Sequence, residues 1–463
     1  MNDKVILGEG CIYSTDPRET QLNNNVLVCG TSGSGKTMSI IEPRLLETFE
    51  TNIVITMTKR KLVDKYTTLF KERGYRVYDL NFINPGQSNL HYDPMTFIQK
   101  EADVLFTAEV LLSALKDSSH DIYWYETAKS LLVAEIAYVK GTSSYPTFSQ
   151  VLNIHKRIKF SDEMSSTFQV EDLDICFDSI EENNPNPYLK LAKQCWNSFR
   201  QVPPRTAKCI YSSLNTSLDT LFTSEVCSLI DFNKNEGIPG LSAISNKAPN
   251  IDFCEFSKEK SILFITTSAV NRSLDTFISL LYGQMFKTFF EYAESRSDGK
   301  LPIPTHVFCD DFATGSRIGF FEDYISIFRE KELSCTILLQ SESQLTAMYG
   351  SMNATTIINN CDSYVYTGSM DIQTASNISQ RLNKPLEEVL YMPIGTIAVM
   401  RRGQLPIITE RYKILDDKRF HLLDKPSAFR QRAREKEERL IRLQKKEMEW
   451  GNDTIGTDEN INR

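Results

Sequence analysis

The sequence has no pair of cysteines at the spacing of a metal or redox motif, no long apolar run and no surplus of positive charge. Its ten cysteines stand singly, at positions 11, 29, 176, 195, 209, 227, 254, 309, 335 and 361. A disulfide framework is not expected at this length, and a zinc site has no ligand pattern. Several thiols fall inside apolar runs, as at Val28-Cys29 and Phe308-Cys309, where a reduced thiol acts as a small hydrophobe. That usage points to a reducing, cytoplasmic compartment. Met1 to Gly10 lacks a basic start followed by an apolar stretch, so no secretory signal is visible. The longest apolar stretches, around Leu131–Val139 and Ile262–Val270, fall short of the ~18 residues a membrane span needs. With 52 Lys and Arg against 60 Asp and Glu, the net charge of -8 argues against coating nucleic acid with the whole surface. It leaves room for a local basic strip.

The 463 residues, 41% hydrophobic and 24% charged, have ordinary globular composition. Residues 25–30, Asn52–Met57 and Arg76–Phe82 read as strands, with helices expected over Thr37–Glu47 and Arg60–Arg73. This alternation signals a parallel sheet covered by helices. From about Lys100 to Ile230 the β-branched runs stop, and apolar residues recur at helical spacing over Ala102–Leu115, Tyr125–Val139, Tyr188–Phe199 and Thr206–Leu221. An acidic stretch there, Glu171 to Glu182, reads as a surface loop. Alternation resumes after Lys260, with strands at Ser261–Thr267, His306–Asp310, Cys335–Gln340 and Tyr364–Thr367, and a hairpin flanking Arg401-Arg402-Gly403. Lys425–Trp450, with nine Lys/Arg and five Glu, looks like an exposed helix, and Gly451–Arg463 looks disordered. The expected organisation is a motor domain in two parts, 1–99 and 231–424, an inserted all-α domain at 100–230, and a charged tail at 425–463.

Gly30-Thr31-Ser32-Gly33-Ser34-Gly35-Lys36-Thr37 fits G-x-x-x-x-G-K-[ST]. It follows a strand pattern and opens a helix pattern. Glycines let the backbone wrap a phosphate chain, so that successive N–H groups and the helix N-terminus face the anion. Lys36 supplies a point charge to the β- and γ-phosphates and Thr37 a hydroxyl to Mg2+, which makes ATP with Mg2+ the expected ligand. Such a loop needs an acidic partner at the end of a neighbouring strand. The apolar run from His306 to Asp310 and Asp311 is the best candidate, with Asp310 on the metal and Asp311 as general base.

Several later segments resemble the coupling-protein ATPases of bacterial conjugation and type IV secretion. They are Tyr324 to Arg329, Thr336 through Gln340 to Gln344, Tyr349-Gly350, and Ile357 to Asp362, continuing through Gly368-Ser369 to Asp371, Thr374 and Ala375. Trp124, Ala128 and Leu131-Leu132, the Pro203–Thr206 segment and Ile251-Asp252 add to the likeness, which runs from about Asn25 to Tyr412. The resemblance implies an α/β, RecA-like P-loop domain interrupted by an all-α domain. It implies a ring, usually of six subunits, that spends ATP to recruit and pump relaxase-linked single-stranded DNA into a type IV secretion channel. The implied partners are relaxosome proteins, channel ATPases and membrane components at the cytoplasmic face of the cell membrane. By the same resemblance Arg329 is the arginine finger reaching a neighbour's ATP, and Gln340 senses the γ-phosphate or orients water; the alternatives are a surface arginine near Glu330 and Glu332, and a capping amide.

Three features depart from the family's pattern. Asp311 stands where the second acid is usually Glu. The second strand ends in a basic turn, Met57 to Lys61, which either lines a DNA path or starts a solvated helix. No transmembrane hairpin precedes Gly30, which leaves two alternatives: a soluble form docking on a separate membrane partner, the one Met1 favours, or a chain from which the anchor has been trimmed. Arg401-Arg402 and the Lys425–Lys446 segment are candidate nucleic-acid contacts, while Tyr123, Trp124 and Tyr125 are expected in the core. Two further functions stay open: a receptor for protein substrates that does not pump DNA, and a translocase on double-stranded DNA.

Overall fold

A computed structural model describes residues 3–113, 122–160, 171–230, 249–268, 273–310, 312 and 317–425. Its frame is a nine-stranded sheet: β3 (Val26–Cys29), β4 (Asn52–Met57), β5 (Arg76–Asn81), β6 (Ser261–Thr266), β7 (Thr305–Cys309), β8 (Leu333–Leu339), β9 (Ser363–Tyr366), β10 (Thr396–Arg401) and β11 (Ile407–Glu410). In space they run β11-β10-β9-β3-β8-β7-β4-β6-β5. The seven strands from β9 to β5 are parallel, and β10 and β11 close one edge as an antiparallel hairpin. Both faces are covered, which is why β3, β4, β6, β7 and β8 are buried at every position instead of alternating. A further hairpin, β1 (Lys4–Gly8) with β2 (Cys11–Ser14), packs on the exposed edge. There the Glu9 N–H donates to Glu410 O at 2.9 Å and the Thr409 hydroxyl to Glu9 O at 3.0 Å. An edge strand carries unpaired backbone groups, and this hairpin covers some of them.

Between Glu101 and Ile230 the described residues hold helices and no strand. The long helix Ile122–Thr142 packs on Pro187–Arg200, closely enough that a Cβ at Gly141 would come within 2.6 Å of Leu189. The block is not a pendant lobe. Its apolar residues join one continuous core with the sheet, and Phe222 meets Phe277 of the sheet-covering helix Ser273–Ser295 edge to face at 5.7 Å. The acidic stretch expected as a loop is a helix over Glu171–Asp178. Its acidic residues hide an apolar face: Leu173 and Phe177 are buried, and Phe177 stacks on Trp196 at 4.4 Å. Tyr125 is buried as expected, whereas Tyr123 is 49% exposed. The charged segment beyond Lys425 lies outside the described residues.

Candidate functional site

The C-terminal ends of the parallel strands gather the residues singled out for nucleotide chemistry. β3 delivers the loop 30–37. Gly33 and Gly35 adopt φ of 77° and 83°, a conformation that disfavours residues with a Cβ. Gly30 is needed for a different reason. A Cβ there would lie 1.8 Å from Thr367 Oγ1, on the turn after β9. That turn braces the loop: Thr31 N–H donates to Gly368 O at 2.9 Å, and the Thr367 and Ser34 hydroxyls bond at 2.9 Å. The Lys36 ammonium donates to Gly30 O at 2.6 Å and Thr31 O at 3.0 Å, so its charge is held at the loop's mouth. Thr31, Ser32 and Gly33 are exposed, and the Thr37 hydroxyl makes no hydrogen bond to a described residue. A loop of this shape, with a central cation and a spare hydroxyl at the helix start, fits a phosphate chain with its divalent cation.

The helix after the loop is not regular. Thr37–Ile41 is a π-turn and Glu42–Leu46 continues as α-helix. Pro43 has no N–H to offer Ser39, and the Glu42 N–H reaches five residues back to Thr37 O.

The strand bearing Asp310 is not β3's direct neighbour. β8 lies between β3 and β7, so Gln340, at β8's end, flanks the loop and Asp310 sits one strand further, about 10 Å away across the sheet. Gly30 N–H donates to Leu339 O at 3.1 Å, which places Gln340 level with Gly30. The Gln340 side chain is half-buried and bonds no described residue. Asp310 follows β7 directly, whereas Asp311 lies outside the described residues. Below the loop, Cys29 is buried and its thiol is pushed up to about 12 by that burial.

Arg329 is elsewhere. It is exposed on the 3-10 turn Phe328–Lys331 that leads into β8, at the opposite end of a seven-residue strand some 20 Å long. Its guanidinium pairs with no described residue: Glu330 is taken by Lys331 at 3.2 Å and Glu332 by Lys300 at 2.7 Å. It lines a cavity of about 780 Å3 with Asp3, Arg44, Lys300, Glu332 and Leu333.

The candidate basic contacts fare differently. Arg60 grips Asp79 through two bonds, 2.6 and 3.0 Å, which raises the arginine above its ordinary value. Lys59 and Lys61 remain exposed. Arg401 is buried with its guanidinium 3.7 Å from the Tyr13 ring, so it is not a surface contact, and Arg402 pairs with Asp362 at 3.0 Å.

One residue at the site was not anticipated. Arg411, just past β11, lays its side chain on the loop, with Nη1 3.3 Å from Ser34 O. No local pattern marks it, because the fold brings it there from the far end of the sequence.

The family model for type IV secretory system conjugative DNA transfer matches residues 2–385. The chain belongs to this family. It is 22% identical over 366 residues to the type IV secretion system-coupling protein VirD4 of Bartonella quintana, and 21% identical over 368 residues to that of Bartonella henselae. Those alignments take in 77% of this chain and 52% of each relative, so the chain spans about half the length of the curated relatives it matches. Among solved structures it is similar to the bacterial conjugative coupling protein TrwBdeltaN70, with TM-score 0.60, 15% identity and 88% of both chains covered. TrwB in complex with ADP and Mg2+ aligns with TM-score 0.59 and 15% identity over 89% of this chain and 90% of that one. VirB4 of Thermoanaerobacter pseudethanolicus aligns with TM-score 0.53 at 12% identity, over 89% of this chain and 96% of that one. The fold is the RecA-like P-loop domain with a helical block that the sequence resemblance implied. No helix among the described residues is long and apolar enough to cross a membrane.

Proposed function

We propose that the chain is the ATP-hydrolysing motor of a conjugative coupling protein, acting in a ring that moves single-stranded DNA to a type IV secretion channel. The observation that carries this function is the division of labour across the sheet. A phosphate-binding loop, Gln340 and Asp310 occupy one end, and an exposed Arg329, unpaired among the described residues, occupies the other. That arginine is too far to serve its own loop, so it fits a subunit that completes its neighbour's site. TrwB, which shares the fold, has been solved with ADPNP and with ADP and Mg2+, which supports ATP and Mg2+ as the ligands here.

In this function the N–H groups of residues 33–37 and Lys36 bind the phosphates, and Thr37 and Asp310 hold the metal. Bound Mg2+ neutralises charge on the transferred phosphoryl group. Gln340 orients the attacking water, Asp311 accepts its proton, and the neighbour's Arg329 meets the charge that develops. The block 100–230 faces the transported complex, with relaxase and accessory proteins as partners, and membrane components anchor the ring at the cytoplasmic face. The test is the ATPase rate with and without single-stranded DNA at low salt. Stimulation lost in Lys36→Ala and Arg329→Ala supports the motor, and an assembled ring indifferent to DNA sinks it.

A second function is favoured by a specific observation. Arg60, Arg401 and Arg402 are committed to Asp79, Tyr13 and Asp362, which lowers the number of free cations for DNA. A receptor that couples ATP to protein substrates would show ATPase stimulation by relaxase alone.

A further inference from the structure

We infer that Arg411 is a second phosphate-binding cation of the nucleotide site, acting in cis from the segment that follows the edge hairpin. The inference rests on nucleotide binding at the loop 30–37 and adds a residue to it.

Arg411 is fixed at its backbone, where its N–H donates to Gly395 O at 2.8 Å. Its side chain then turns onto the loop. Nη1 lies 3.3 Å from Ser34 O. A Cβ on Gly35 would come within 2.7 Å of Nη1 and 3.6 Å of Cζ, so the guanidinium rests against the residue immediately before Lys36. A guanidinium has five N–H donors in a rigid fork, and among the described residues only this one carbonyl accepts from it. No carboxylate of a described residue pairs with it. The contrast is close by: Lys413, two residues on, is paired with Glu410 at 2.6 Å.

Two cations on one short loop repel each other. Lys36 donates to Gly30 O and Thr31 O, and Arg411 to Ser34 O, so both cations are aimed at the same loop. The ligand class that can engage both groups at once is a polyanion, and the N–H groups of the loop already select a phosphate chain. The glycine at 35 keeps the approach open.

The test is binding of ADP with Mg2+, and competition by inorganic tripolyphosphate, in the intact chain carrying Arg411→Ala, Arg411→Gln or Arg411→Lys. Losing a hydrogen bond to a charged group weakens binding about 10- to 100-fold. We expect Ala and Gln to weaken both probes by about that factor, and Lys to recover part of it. Wild-type affinity in Arg411→Gln, which keeps a donor for Ser34 O but no charge, overturns the inference in favour of a mere brace. So does a loss for ADP without a loss for tripolyphosphate, which would assign the side chain to base or ribose. Lys36→Ala is measured alongside. If it also binds as wild type, nucleotide binding at the loop itself fails; if it alone loses binding, only the role of Arg411 fails.

Discussion

The two ends of the parallel sheet each hold an arginine without a carboxylate partner among the described residues, and they differ in everything around it. At the C-terminal end Arg411 lies on a glycine loop with Lys36, beside Gln340 and near Thr37, whose side chains are unused by the fold. At the N-terminal end Arg329 stands in a cavity whose other charges are largely paired, Lys300 with Glu332 and Asp3 with backbone N–H groups of residues 49–51. The first end has the donors of an anion site within one chain. The second offers Arg329 at the surface and Arg44, tied to Lys4 O, beneath it, with no glycine cradle. On the proposed function, the difference means that Arg329 acts only when another subunit brings the cradle to it.

The comparison breaks first at Arg329. An arginine finger is worth about 10^3 or more in kcat. Arg329→Ala is therefore expected to lower steady-state ATPase about a thousandfold while leaving ADP affinity unchanged. Mixing it with Lys36→Ala chains should restore part of the rate, because some neighbouring pairs then contain one intact loop and one intact finger. Absence of any recovery in verified mixed rings would show that the two ends do not meet. Lys36→Ala should act at the other end and in a single chain. We expect nucleotide affinity to fall about 10- to 100-fold, the range for a hydrogen bond to a charged group, read by equilibrium titration with labelled ADP.

The sheet was largely legible in the sequence, because strands buried on both faces form short apolar runs: Asn52–Met57 is read to the residue. The loop 30–37 was legible for the same local reason. What could not be read is order in space. Nothing in the run His306–Asp310 tells that β8 is inserted between it and β3. Arg411 gives no local sign, since its place depends on a hairpin pairing with a strand some 30 residues earlier. The β1–β2 hairpin was missed as well, being two runs of five and four residues whose buried Leu7 and Cys11 join a cluster with Ile40, Leu45 and the distant Ile397. The helix Glu171–Asp178 was hidden by its own composition, which reports the solvent face and not the buried Phe177.

The brace beneath the loop gives a smaller effect. Gly30→Ala drives a methyl into Thr367, and overpacking of this kind costs about 1–3 kcal/mol. A lowered denaturation midpoint is expected, with weakened ADP binding because the loop is displaced. Thr367→Ala in the same chain should recover most of both losses. If the double variant is no better than Gly30→Ala alone, the clash with Thr367 is not the reason for glycine.

The smallest effect tests how the C-terminal end is held together on both sides of β3. Asp371 caps the helix Ile372–Leu382 after β9 and accepts from Ser343, on the helix Glu342–Tyr349 after β8, at 2.7 Å. Partial burial pushes its carboxyl up, but donation from Thr374 and Ser343 outweighs this, and the net value lies below the ordinary one near 3.8. A carboxyl lowered in the folded state adds stability that is present above its unfolded value and lost as pH falls through the folded one. Replacing a capping side chain costs about 1 kcal/mol. Asp371→Ala should therefore lower the midpoint modestly at pH 7, and the gap to wild type should narrow below about pH 4, where the unfolded carboxyl takes up a proton that the native one still resists. A gap that stays constant from pH 7 to pH 3 would mean that the charge of Asp371 contributes nothing, and that the polar tie between the two helices flanking the loop rests on Glu342 with Asn377 and Arg381.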